Sequence, residues 1–321
     1  SGYDIWQLFS EQSFSRRIFG TQFPGPLSTI VYYIALPFIY LLSILPFPVL
    51  YLLSDLLFVI LYKLVGYRKE VVMTNLRNSF PEKSEEELKL ICRKFYSYLC
   101  DLFLETFKTL TISRKSMLKH CYFAPGSLEV FKKLSAENRS IILVLGHQGN
   151  WEWAGNTCSL LLDHQLYVIY HPLKDKNFNN LIRKMRMTFG TRLIAMRDTY
   201  KDMLQTREEL NATAFIADQT PSNITGAHWT TFLSQDTPVF KGTEVIAKKI
   251  GYPVVYSNVK RVRRGYYEMT VEMLVGDPKK TADGEISELH TRKLEQDIRE
   301  QPETWLWSHR RWKHKRPAEL S

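Results

Sequence analysis

The residue types that base chemistry needs stand together in Gly146-His147-Gln148-Gly149-Asn150-Trp151-Glu152. A neutral imidazole takes a proton from a hydroxyl best when a carboxylate holds its other ring nitrogen as a donor and stabilises the imidazolium that forms. Glu152 falls in the first turn of an expected helix, and Gly149 loosens the backbone before it. The spacing therefore predicts that Glu152 folds back to orient His147. The bare spacing of a histidine, four residues and an acid arises easily by chance, so the surrounding elements have to carry the rest.

Those elements read as alternating strands and helices. The apolar run Ile141-Ile142-Leu143-Val144-Leu145 is a buried-strand candidate directly before the histidine, and a helix opens at about Trp151. Further strands are expected at 166–170, 192–195, 212–217, 253–259 and 266–274, with helices at 177–189, 243–250 and 287–299. This alternation predicts an α/β sheet with helices on its faces. In open α/β sheets ligands bind beyond the carboxyl ends of strands, which is where His147 falls. Upstream, residues 84–111 carry apolar positions at helical spacing (Leu88, Ile91, Phe95, Leu99, Leu102, Phe103), with Ser79 or Ser84 as cap and Glu85 to Glu87 in the first turn.

Residues 27–62 contain one charge, Asp55, and exceed the roughly 20 residues that cross a bilayer core. Pro46 and Pro48 should break any helix there, giving one segment at 28–45, long enough to span, and a shorter one at 49–62 that lies at the interface or packs on the body. The run is too long for a cleaved signal peptide. The basic flank after it, Lys63, Arg68, Lys69 and Arg77, favours the cytoplasmic side. The expected organisation is an unassigned extension at 1–26, a membrane anchor at 27–62 (one spanning helix or two interfacial ones, with a buried core helix pair as the alternative) and a catalytic domain at 63–321.

The formal net charge of +10 suits an anionic partner. Cys92, Cys100, Cys121 and Cys158 are scattered, which argues against both a zinc site and a disulfide framework. His120, His164 and His171 lack partners at ligand spacing and read as ordinary surface or structural residues. Arg183 and Arg186 share a face of a basic helix with Lys184 nearby, as a solvated face or as a pair of cations at a site. Asp218 and Gln219 follow a strand end, as site residues or as a turn cap. Lys241, Gly242 and Thr243 precede a helix, where amides bind an anion or Thr243 caps the helix. Trp305, Trp307 and Trp312, interleaved with the basic run from His309 to Arg316, suit a membrane interface better than nucleic acid.

Taken together the chain resembles the late acyltransferases of lipid A synthesis. The resemblance rests on His147-Gln148-Gly149-Asn150-Trp151-Glu152, on Val65 to Pro81 after the anchor, on Ala217-Asp218-Gln219 with Phe232-Leu233 and Phe240-Lys241-Gly242-Thr243, and on Glu303 to Lys313. It covers nearly everything from Leu27 to Pro317 and implies a glycerolipid-acyltransferase-like mixed sheet flanked by helices, behind an N-terminal hydrophobic anchoring segment. It also implies transfer from an acyl thioester, usually acyl carrier protein, to a hydroxyl on a lipid A precursor, with no cofactor and no metal. His147 is then the base and Glu152 its orienter. Backbone N–H groups near Gly149 and Asn150, or an arginine, would hold the oxyanion. Gln148, Arg183, Arg186, Asp218, Gln219, Lys241, Gly242 and Thr243 would meet substrate. The partners expected are acyl carrier protein, an anionic glycolipid and the bacterial inner membrane, with the catalytic domain facing the cytoplasm and no nucleic acid. Another lipid acceptor, or a non-catalytic adaptor that binds anionic lipid, are the competing readings.

Overall fold

The computed structural model describes residues 25–317, with side chains from Thr29 onward; all but the last two residues of the 1–26 extension lie outside them. Two apolar helices come first, α1 (Gly25–Ile44) and α2 (Phe47–Phe58), the latter running on as a π-turn Val59–Val65. Pro46, extended at the N-cap of α2, marks the break because its ring cannot continue α1, and Pro48 sits in the first turn of α2, where a missing N–H costs nothing. Pro37 is tolerated inside α1. The break falls where the prolines predict, and the second stretch is longer than expected: α2 with its π-helical extension, Phe47–Val65, is long and apolar enough to cross a membrane, beside the 20-residue α1.

Then follow α3 (Lys69–Ser79), α4 (Glu85–Lys108) and α5 (Arg114–His120). Ser84, rather than Ser79, caps α4 through a capping box with Glu87. Its apolar stripe is buried, including Leu88, Phe95 and Leu102. The remaining elements are β1 (Cys121–Phe123), α6 (Ser127–Ala136), β2 (Ile141–Leu145), α7 (Trp151–Leu161), β3 (Gln165–Tyr170), α8 (Lys176–Arg186), β4 (Arg192–Ala195), α9 (Thr199–Gln205) and β5 (Asn211–Ile216). After them come the hairpin β6 (His228–Phe232) and β7 (Gln235–Val239), α10 (Gly242–Ile250), β8 (Val254–Arg263), β9 (Tyr266–Val275) and α11 (Glu285–Glu300).

Seven strands form one mixed sheet in the order β1-β9-β8-β2-β5-β3-β4. The pairings are parallel except β8 with β9. β2 and β5 are central and in register, with Leu145 opposite Ile216. Both are covered on their two faces, which is why β2 is continuously apolar rather than alternating. Ile39, Leu50 and Leu61 of the N-terminal helices belong to the same buried cluster as Phe95, Leu143 and Trp305, so the apolar segment shares one core with the body.

Two buried histidines make this core acid-sensitive. Burial pushes His290 down to about 4 and His309 down to about 3. The unfolded chain binds a proton at each below about pH 6.5, while the folded chain does not, so their stability contribution is present above that pH and is lost as pH falls. Lowering the pH from 7 to 5 should cost about 2 kcal/mol per histidine. Thermal melts at the two pH values should show the loss, and His290→Leu should lessen it.

Candidate functional site

His147 and Asp218 each lie two residues beyond the end of a central strand, His147 after β2 and Asp218 after β5. Because those strands are parallel, adjacent and in register, the two side chains meet. His147 Nδ1 lies 2.6 Å from Asp218 Oδ1. The His147 backbone N–H donates to Asp218 Oδ2 at 2.8 Å, and the Trp305 indole N–H donates to the same oxygen at 2.8 Å. Burial alone would push the Asp218 carboxyl up; the charge and hydrogen bonds of His147, with the Trp305 bond, outweigh it and hold the carboxyl at about 2. An ionised acceptor at Nδ1 fixes the proton there. Nε2 then carries the lone pair, 3.4 Å from Gln219 Nε2.

This corrects the expected partner. Both Glu152 oxygens face the Arg186 guanidinium, with Nε to Oε2 at 3.0 Å and Nη2 to Oε1 at 2.5 Å. Glu152, in the first turn of α7, points toward α8, whereas the imidazole is held from the β5 side. The orienting carboxylate comes from the neighbouring strand instead of from the histidine's own motif. Asp218 was legible as a residue at a strand end, but its pairing needed the strand order.

The loop between His147 and Glu152 is wired into the scaffold. Gly149 has φ of 58°, and a Cβ there would overlap the Val259 carbonyl oxygen. Its N–H donates to Thr304 O at 3.1 Å, and its carbonyl accepts from the Tyr98 hydroxyl at 2.5 Å. Gln148 bridges to Trp305 and donates to Asp297 O. Asn150 caps α7 through the Trp153 N–H and donates to Glu105 at 2.8 Å. Glu105 is fully buried, its carboxyl pushed up by that burial, and also accepts from the Tyr51 and Tyr267 hydroxyls. Gln148, Gly149 and Asn150 thus hold the loop from within, and the Gly149 N–H is not free for an oxyanion. Sequence reading missed Tyr98 and Glu105, which sit in a helix whose apolar stripe gave no hint of a polar inner face, and it took Trp305 for an interface residue rather than a partner of Asp218.

A partly open cavity of about 180 Å³ adjoins the pair. His147, Glu152, Arg186 and Gln219 supply polar groups, while Leu145, Ala154, Cys158, Val168, Ile216 and Met196 are among its apolar walls. His171 lines it too. Thr243 is buried in its wall with an unpartnered hydroxyl; it lies inside α10, which starts at Gly242, so it is not the cap. Arg183 does not share the pocket with Arg186: it bonds the Tyr170 hydroxyl at 2.5 Å and lies over that ring. Lys241 pairs with Asp283 at 2.6 Å. Trp305 and Trp307 are buried, so the aromatic run is core rather than membrane interface. The segment after α2 holds it in place: Asn75 Nδ2 donates to Trp307 O and His309 O, and Arg68 to Ser308 O.

Fold and site define an α/β protein with a buried histidine–aspartate pair whose histidine lines a largely apolar cavity. Residues 18–314 match the family of bacterial lipid A biosynthesis acyltransferases, and the chain belongs to that family. It is similar to the lipid A biosynthesis palmitoleoyltransferase of Escherichia coli (strain K12), 22% identical over 258 residues that cover 79% of this chain and 81% of that protein. The lipid A biosynthesis acyltransferase of Shigella flexneri matches to the same extent.

Gly149→Ala should cost at least about 2 kcal/mol, from the left-handed backbone and the overlap with Val259. Chemical denaturation of the variant beside wild type measures it; equal stability would mean that the loop is not clamped there.

Proposed function

We propose that the chain is a membrane-bound O-acyltransferase that moves a fatty acyl group from an acyl thioester to a hydroxyl of a lipid A precursor, with acyl carrier protein as donor. The observation that carries this reading is the His147 imidazole, tied at Nδ1 to ionised Asp218, in the wall of a largely apolar cavity. His147 Nε2 takes the acceptor hydroxyl proton. The oxygen attacks the thioester carbonyl, the tetrahedral intermediate collapses, the thiolate leaves, and the imidazolium returns the proton to it. Thioester chemistry asks for no metal in this scheme. Asp218 keeps the tautomer and stabilises the imidazolium.

Arg186, oriented by Glu152, is the cation in the cavity wall. It suits either the developing oxyanion or an anionic substrate group, and Gln219 suits the oxyanion by its position beside Nε2. The family supports acyl transfer in lipid A synthesis. The donor, the acceptor position and a cytoplasmic face of the inner membrane extend that reading. The +10 charge agrees with acidic carrier and phosphorylated lipid alike.

Acyl transfer from labelled acyl carrier protein to a panel of lipid acceptors tests the proposal. His147→Ala should lose on the order of 10²–10⁴ in rate, and Asp218→Asn should fall into the same range. Glu152→Gln should weaken substrate use through Arg186 while sparing the His147 pH dependence. A His147→Ala protein as active as wild type would end the catalytic reading; transfer to another lipid alone would end the choice of acceptor.

A further inference from the structure

The apolar N-terminal helices satisfy the composition of a membrane span, yet their inner faces are committed to the body along their length. On α2, Phe47 stacks on His120 with ring centroids 4.0 Å apart. Tyr51 donates to Glu105 at 2.8 Å, and Ser54 donates to Asp101 at 2.6 Å. Asp55 pairs with Arg264 at 2.7 Å, and Arg264 also holds Asp101 at 2.7 Å. Positions 47, 51, 54 and 55 make one helical face. On α1, Thr29 accepts from Asn177, Tyr32 packs edge-on to Phe178, and Tyr40 accepts from Lys184, all three partners lying on α8. The Lys108 ammonium donates to the carbonyls of Ser43 and Leu45 where α1 ends.

The opposite faces are apolar and bare. Leu52, Leu56 and Leu64 are 69%, 58% and 75% exposed, and Ile34, Phe38 and Leu41 continue the surface on α1. Among the described residues nothing covers them. Basic side chains accompany it: exposed Lys63, and Lys69 over the Tyr62 ring, lie at the end of α2 and just beyond, and exposed Arg263 precedes Arg264, which binds α2 through Tyr51 and Asp55.

We propose that neither α1 nor α2 crosses the bilayer: both lie along the body with their outer faces sunk into one leaflet of an anionic membrane, which holds the chain from one side. A crossing α2 would put Asp55, near the middle of Phe47–Val65, at the depth of the hydrocarbon core. Arg264, Asp101 and the β8–β9 turn would have to go with it, because they are hydrogen-bonded to that face. Charged groups and irregular backbone facing lipid at that depth are strongly disfavoured. A helix with one packed polar-contacting face, one bare apolar face and basic neighbours is the arrangement of an interfacial helix. The inference rests on the membrane attachment proposed above.

Depth measurement tests it on the full chain. The four native cysteines are buried, so a cysteine placed at Leu52, Leu56 or Leu64 can be labelled selectively with a fluorophore. In vesicles containing anionic lipid, quenching by lipids brominated at different depths should put all three labels at nearly one shallow depth. A crossing helix would spread positions 52 and 64 over about 18 Å, at 1.5 Å per residue. As a second measure, reporters fused at both ends of the chain should lie on the same side of the membrane in cells. Reporters on opposite sides, or labels spread in depth, overturn the inference and leave the membrane-bound reading intact. Labels that no lipid quenches, on a chain that stays in the supernatant, overturn both.

Discussion

The Asp218 carboxylate receives donors from two separate parts of the chain: the imidazole and backbone N–H of His147 after β2, and the indole of Trp305 after α11. Buried and ionised, it would be costly without them, since a desolvated charge is tolerated only when its lone pairs are met. Its own position follows from the β2–β5 register. One carboxylate thereby fixes the histidine tautomer, joins the two central strand ends and draws the closing segment over the loop. The segments that suggested a family likeness in the sequence are the ones that meet around it. The stretch after α2 holds Trp307 and His309, the loop holds Trp305 and Thr304, and Thr220 beside Gln219 bonds to His309 and Arg311.

A second buried carboxylate system, on α4, stands behind the first. Glu105 joins Asn150 at the start of α7 to Tyr267 on β9 and Tyr51 on α2, and Asp101 one turn earlier gathers Arg261, Arg264 and Ser54. Breaking one partner of such a network costs more than its net worth, because it strands the others without water. The apolar N-terminal helices are therefore tied to the backbone that carries His147, and are not merely a tether. Arg186 and Glu152 form a third pair, side by side in the cavity wall, which holds a cation at the cavity surface.

Much of the fold was readable from local signals. Continuous apolar runs marked the buried strands, Ser79 or Ser84 with the acidic first turn marked the start of α4 to within a few residues, and the prolines marked the break between α1 and α2, because each depends on neighbours within a turn or two. The candidate His147 and the presence of Asp218, Gln219 and Arg186 near a site were legible for the same reason, from their places at strand and helix ends. What sequence could not decide was who pairs with whom. Glu152 sits five residues from His147 and Asp218 sits seventy-one away, yet strand order brings the distant carboxylate to the imidazole and turns the near one toward Arg186. Arg183 and Arg186 share a helix face, but Tyr170 captures the first. Trp305 and Trp307 look like interface residues among their basic neighbours until the closing segment folds inward. Local spacing fixes which side chains share an element; only tertiary packing fixes which elements share a contact, because that contact's free energy comes from burial and desolvation between segments remote in the chain.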